Sequence, residues 1–286
     1  MELIPLLQYA APVALAAMGE VITQRGGIIN IGLEGVMLVA SFFAMLGCYM
    51  THSPWIGLGA GVSAALVTTV IFGVFTIALA ADQVVVGTAI NLLALGVTGT
   101  LFRSKFGQSG QLLSVPRIGA FHGVDPLMVW MLASVPLLWL LLRKTAWGLA
   151  VRGCGEYPKA VDAAGFSVNL LRFQALMLGG VYAGLAGAYL ALVITGSFAE
   201  NMTAGRGFVA IAMVTFGRWK PQFVFLAALL IGAAESLQYK FQTYGWKVPY
   251  QLMIALPYVI ALLVLVIVGR GAAAPGDLGR PYHKEK

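Results

Sequence analysis

Continuous apolar runs recur along this chain, and they constrain its fold more than any other feature. They occupy roughly residues 5–22, 26–50, 55–80, 84–101, 127–142, 172–194, 205–217, 223–237 and 250–268. At 1.5 Å per residue, about twenty residues cross the roughly 30 Å hydrocarbon core of a bilayer. The runs do not alternate in the ten-residue pattern of a membrane barrel, so the segments are helical. Hydrophobic residues make up 59% of the 286 and charged residues 10%, with a mean hydropathy of +0.87. A soluble body of this size carries about a quarter charged residues, so most of this exterior must face lipid. The expected fold is an all-α polytopic membrane protein, one transmembrane domain over residues 1–286 with about nine segments. No cleavable signal peptide is expected, because the N-terminus lacks a basic region and Pro12 interrupts the first run. Cys48 and Cys154 lie far apart and imply neither a disulfide nor a metal site.

Two segments are irregular, one in each half of the chain. The second run opens GGIINIGLEG (residues 26–35), too rich in glycine for a smooth helix. Asn30 either caps the helix that follows or borders a polar pathway, and the same two roles are open to Glu34, which meets the positive end of the helix dipole. The seventh run, GRGFVAIAMVTFG, holds about eleven residues between glycines, roughly 17 Å, so it is a half-helix stopped by Arg218-Trp219-Lys220-Pro221. Transporters use such broken helices to expose backbone dipoles along a substrate path. Thr88 and Asn91 lie inside the fourth run. Asn91 is costly in lipid and must face protein or water, as glue between helices or as pathway lining. Glu235 and Gln238, one turn apart at the end of the eighth run, are expected to face water near the outer surface. His52, His122 and His283 fall in loops or the tail without catalytic spacing.

The longest polar interval is 143–172, RKTAWGLAVRGCGEYPKAVDAAGFSVNLLR. Its centre reads as a helix of about two turns, with Pro158 in the first turn and Gly165 at the end. Such a helix is too short to stand alone in water. Either the interval is a plain basic loop, or it docks a soluble partner through Glu156, Lys159 and Asp162. With nine crossings and a tail over 270–286 on the inner side, that side holds Arg25, Arg143, Lys144, Arg152, Lys159, Arg172, Arg218, Lys220, Arg270, Arg280, Lys284 and Lys286. These are twelve of the eighteen basic residues, so the interval and the tail are cytoplasmic. The net charge of +7 is mostly beside the membrane and calls for no nucleic acid.

Four stretches taken together resemble one family. They are GGIINIGLEG, DQVVVGTAINLLALG (82–96), GEYPKAVDAAG (155–165) and GRGFVAIAMVTFGRWKP (205–221). They resemble the permease subunits of ABC importers for simple sugars, branched-chain amino acids and nucleosides, and INIGLEG with GTAINLLALG is most like the nucleoside and simple-sugar branch. Tyr157 departs from the asparagine common at that place in the family. The resemblance implies a multi-pass protein of the bacterial inner membrane whose 143–172 interval is a coupling loop. Docking residues are then Glu156, Tyr157, Pro158, Lys159, Asp162 and Gly165, and pathway residues Asn30, Glu34, Thr88 and Asn91. It further implies a second, different permease chain, two cytoplasmic ATP-binding subunits and an extracytoplasmic substrate-binding protein, with no cofactor or metal. The sequence holds no Walker-type loop and no H-E-x-x-H or G-x-S-x-G motif, which fits a non-catalytic subunit. Asn30, Thr88 and Asn91 are neutral and Glu34 would repel an anion, so a nucleoside or simple sugar is the expected solute. A branched-chain amino acid importer is the alternative. An ion-coupled secondary transporter would want a buried ion or proton site, and carboxylates within the runs are sparse.

Overall fold

The computed structural model describes residues 3–107, 114–243 and 273–283, with Ala255 and Val259 as isolated positions. Within them the chain forms ten α-helices: α1 (Leu3–Arg25), α2 (Leu33–Thr51), α3 (Pro54–Gly73), α4 (Gln83–Phe106), α5 (Pro126–Lys144), α6 (Ala146–Glu156), α7 (Pro158–Ala163), α8 (Val168–Tyr189), α9 (Arg206–Phe216) and α10 (Pro221–Thr243). Local chemistry sets most of the starts. The Asp82 carboxylate accepts the N–H groups of Val84 and Val85 at the head of α4, and Asp125 accepts that of Met128 at the head of α5. Thr145 and Ser167 cap α6 and α8 in the same manner, and proline opens α3, α5 and α7. Both α3 and α8 run on as π-helix, over Val74–Ala78 and Leu190–Thr195, the second ending at Gly196 with φ of +65°.

Six of these helices are long and apolar enough to cross a membrane: α1 to α5 and α8. α9 is shorter, and α10 is apolar over Pro221–Leu237. The ninth run, 250–268, lies outside the described residues apart from the two isolated positions. The all-helical, multi-pass expectation is met, with six candidate spans among the described residues.

The central element is α1, buried on every face from Ala10 to Gln24 and packed on α5, α6, α8, α9 and α10. Helices approach closely where side chains are small. A Cβ on Gly19 of α1 would fall 2.8 Å from the Gly179 carbonyl of α8, the packing expected where helices share no hydrophobic drive to associate. Outward faces of α3, α4 and α5 expose Val67, Ile71, Leu92, Leu93 and Leu140. Water would disfavour this belt, whereas lipid would suit it.

Each end of the bundle gathers a distinct set of connections. At one end Gln8 donates to the Gly123 carbonyl, Arg117 donates to the Thr195 carbonyl and Arg103 pairs with Glu200 at 3.4 Å. At the other end meet Arg25, the C-terminus of α5, α6, α7, the N-terminus of α8, the α9–α10 turn and residues 273–283. Here the polar interval is more structured than expected. It holds two helices, and Glu156 is the last residue of α6 where it was expected to begin the short helix. Thr145 starts α6, and burial of Gly148, Val151, Cys154 and Gly155 holds it in place. The tail is also no loose strand. Asp277 N–H donates to the Gly155 carbonyl (2.8 Å) and Gly279 N–H to the Gly27 carbonyl (2.9 Å).

Candidate substrate pathway and docking face

The chain leaves helix before α2 and again before α9, and the two junctions meet. Residues 26–32 climb from the end of α1 before α2 begins, and 196–205 descend from the end of α8 before α9 begins. Irregular backbone at membrane depth survives only where its polar groups are satisfied internally. Glu34 does most of this. Its Oε1 accepts the N–H of Gly205 (2.8 Å) and its Oε2 that of Gly207 (2.7 Å). A carboxylate in the first turn of α2 thus also caps α9, and the positive ends of two helix dipoles converge on it. The approach requires glycine: a Cβ on Gly207 would lie 2.6 Å from the Glu34 backbone.

Asn91 of α4 closes the other side. Its Oδ1 accepts the Gly35 N–H (2.7 Å) and its Nδ2 donates to the Ile31 carbonyl (2.9 Å). Asn30 does not cap α2. The N-cap is Gly32, without a side-chain bond, and Asn30 presents its backbone N–H to Glu20 instead (3.1 Å). Its Oδ1 is buried without a partner. Thr88 stands apart, exposed on the outer face of α4 with its hydroxyl donated to the Val84 carbonyl.

Glu235 is not at a watery surface. Its carboxylate pairs with Arg206, the first residue of α9, at 3.4 Å, with side chains 14% and 21% exposed. It lies fourteen residues beyond Pro221, about 21 Å along α10, well inside a roughly 30 Å core. Arg206 is not among the twelve basic residues of the inner side, and its position at the head of a half-helix carries it into the bundle, where a carboxylate needs a partner. The side chain of Gln238 falls outside the described residues.

The residues expected to dock a partner lie at the α6–α7 end. Pro158 is buried in the first turn of α7, Tyr157 is 62% exposed at the junction, and Lys159 is exposed. Asp162 is half-buried, and exposed Gly165 turns the chain with φ of +87°. Beside them runs an apolar groove of about 370 Å³ lined by residues that include Leu149, Ala150, Tyr157, Val161 and Phe166. Glu156 faces the base of the bundle. It pairs with Arg25 at 3.5 Å and accepts the Gly276 N–H at 3.3 Å. Gly155 rests on the end of α1, where a Cβ would meet the Arg25 carbonyl at 2.3 Å.

The profile of the family described as branched-chain amino acid transport system permease components matches residues 3–269. The chain belongs to this family. The permease is 33% identical to the guanosine ABC transporter permease protein NupQ of Bacillus subtilis, over 98% of this chain and 95% of the relative. It is 33% identical to the nucleoside ABC transporter permease protein NupC of Lactococcus lactis, over 98% and 96%. The galactofuranose transporter permease protein YtfT of Escherichia coli is 29% identical over 75% of this chain and 63% of the relative. A solved ABC transporter in an inward-facing conformation shares the fold at a TM-score of 0.58 and 15% identity, over 92% of the permease and 86% of that chain.

Several residues that organise the permease's centre carried no weight in the sequence. Glu20 and Gln24 are 1% and 2% exposed in α1. Trp219 Nε1 donates to Gln24 (2.7 Å), and Gln24 Nε2 donates to the same Glu20 oxygen that accepts Asn30. This chain of bonds ties the α9–α10 turn to the break before α2. The signal available was a pair of polar residues at i and i+4 on an otherwise apolar helix, which places both on one face. Arg172, read as the edge of a loop, is 2% exposed in α8 and donates to the carbonyls of Cys154 and Arg280 and to Asp277 Oδ2.

Proposed function

We propose that the permease is the membrane subunit of an ATP-driven importer of nucleosides or simple sugars. It spans a bacterial inner membrane as one domain, 1–286, with 250–268 as its ninth crossing and 143–172 and 270–286 in the cytoplasm. It works beside a second, different permease and two cytoplasmic ATP-binding subunits that hydrolyse the nucleotide, and a substrate-binding protein delivers solute from outside. The carrying observation is likeness along nearly the whole chain to two nucleoside permeases.

The site geometry supports a neutral cargo. At the break between the half-helices the backbone N–H groups that would attract an anion already hold Glu34, and the nearby cation, Arg206, is paired with Glu235. Among the described residues a phosphate or carboxylate finds no free counter-charge there, whereas hydroxyl-rich solutes need none. Asn30, Glu34 and Asn91 border this route, and Thr88 joins it from the outer face of α4 where the second permease abuts.

Docking of the ATP-binding subunits falls to Tyr157, Pro158, Lys159, Asp162 and Gly165, with the apolar groove receiving side chains from the partner and Glu156 holding α6 to the bundle. When nucleotide closes those partners, α6 and α7 move with them. Gly155 presses on the end of α1 at residues 25–27, so the motion reaches the break before α2 without crossing a soft loop. Alternating access follows from that two-state tilt.

The test is uptake by vesicles holding the full complex and offered labelled nucleosides, ribose or leucine. Nucleoside or ribose uptake is expected. Robust leucine uptake with neither of the others would refute the cargo and favour the branched-chain amino acid alternative.

A further inference from the structure

We infer that the cleft between the cytoplasmic ends of α5 and α10 binds the phosphate headgroup of an anionic phospholipid. The inference rests on the orientation given above. The cleft is lined by Arg25 from α1, Arg143 from α5, Arg152 from α6 and Lys220 from the α9–α10 turn, with the indoles of Trp139 and Trp219. Four elements thus send a cation each to one place. Glu156, 3.5 Å from Arg25, is the acidic neighbour, leaving a surplus of three positive charges (four cations less one carboxylate). Among the described residues no carboxylate lies within ion-pair distance of Arg143, Arg152 or Lys220. Repulsion from both Arg152 and Arg143 bears on Arg25. A bias of charge toward the inner side accounts for cations at this membrane face, but not for their convergence. Convergence without counter-charge calls for an anion.

Surroundings and size identify its class. From Lys220, the exposed Phe223 and Leu226 follow at three-residue intervals up α10. From Arg143, the exposed Leu140 and Leu137 rise in the same way up α5. Each cation therefore heads an apolar stripe leading into the bilayer, and Lys220 Nζ sits 5.6 Å from the Phe223 ring. A headgroup in the cleft places acyl chains along these stripes, which a soluble anion or an acidic protein segment would leave uncovered. The void is about 50 Å³, the space of a few waters, which suits one phosphate and is too small for a nucleotide. Trp139, half-buried beside the cleft, sits where an indole favours the membrane interface.

The experiment is native mass spectrometry of the full-length permease purified with its partner subunits, titrated with phosphatidylglycerol or phosphatidylcholine. The wild type should retain phosphatidylglycerol and lose phosphatidylcholine. The Arg143→Gln/Arg152→Gln variant should bind phosphatidylglycerol about 25-fold more weakly, at about fivefold per charge. Lys144→Gln removes the same kind of charge from the same face outside the cleft and should bind as wild type. Tenfold excess inorganic phosphate should leave the lipid bound. Equal retention of the two lipids, an equal loss in Lys144→Gln, or full displacement by inorganic phosphate overturns the assignment. The wild-type complex answers without substitution as well. Chain-brominated phosphatidylglycerol should quench its tryptophan fluorescence more than brominated phosphatidylcholine, and equal quenching also overturns the site. None of these readouts involves transport, so a wrong cargo would leave them unchanged.

Discussion

Replacing Glu34 with Gln removes one oxygen from a carboxylate that holds two helices at once. The Gly205 and Gly207 N–H groups now donate to its two oxygens at 2.8 and 2.7 Å. Glutamine keeps one acceptor and turns an amide NH₂ toward the other donor, so one bond is lost and one backbone N–H is stranded. A hydrogen bond to a charged group contributes about 1.5–3 kcal/mol. The expected cost is about 2 kcal/mol, or roughly a thirtyfold rise in the population with the head of α9 released. Thr203, fully buried in the segment that descends to α9, reports that release. In a Thr203→Cys background, maleimide labelling should run about thirtyfold faster with Glu34→Gln than without it, and the unfolding midpoint should fall. Native Cys48 and Cys154 are both buried and give a low background. Equal labelling rates in two well-folded preparations would show that Glu34 does not hold α9.

Glu235→Leu alone should strand Arg206 and destabilise by about 3–5 kcal/mol, while Arg206→Met with Glu235→Leu should recover most of the lost folded yield. Wild-type accumulation of the single variant would mean that the pair is not desolvated. Burial pushes the Cys154 thiol up to about 11 against the pull of Arg172. A raised thiol stays protonated and unreactive below that value, so alkylation should be slow at pH 7.5 and accelerate only in strongly alkaline solution. Rapid neutral labelling of Cys154 would contradict its enclosure. Lys144→Cys should react with an impermeant maleimide only after right-side-out vesicles are opened, and labelling of sealed vesicles would invert the orientation.

The parts legible in the sequence were those set by local rules. Run length gave helices, glycine content marked the break before α2, and eleven residues between glycines marked α9 as a half-helix. Pro158 and Gly165 bounded α7 where they stand. Hidden parts depend on which residues meet across the chain. Glu34 lies 171 residues from Gly205, and no periodicity links them. The position of Glu235 at the end of an apolar run suggested a surface, but helix length alone does not fix depth when the paired half-helix starts inside the membrane. Asn30 has the chemistry of a cap, yet the hydrogen-bonded turn from Asn30 to Leu33 leaves that role to Gly32. α6 was missed because three of its eleven residues are glycine, and its stability comes from the bundle it rests on.

Residues 275–282 are translated after every helix described here, yet they bond to Gly27, made near the start, and to Gly155 and Arg172 from the middle. Newly made chains therefore carry an unfinished joint until residues 275–282 have been made. Arg172 is already enclosed by then, with the Cys154 carbonyl as its acceptor and Asp277 and the Arg280 carbonyl still to come. A stranded guanidinium is a strong destabilising signal, so a nonsense truncation just before Pro275 would present proteases with a marked protein. Pulse-chase lifetimes of stop variants placed before and after 275–282 measure this, and equal lifetimes would show that the joint carries no such signal.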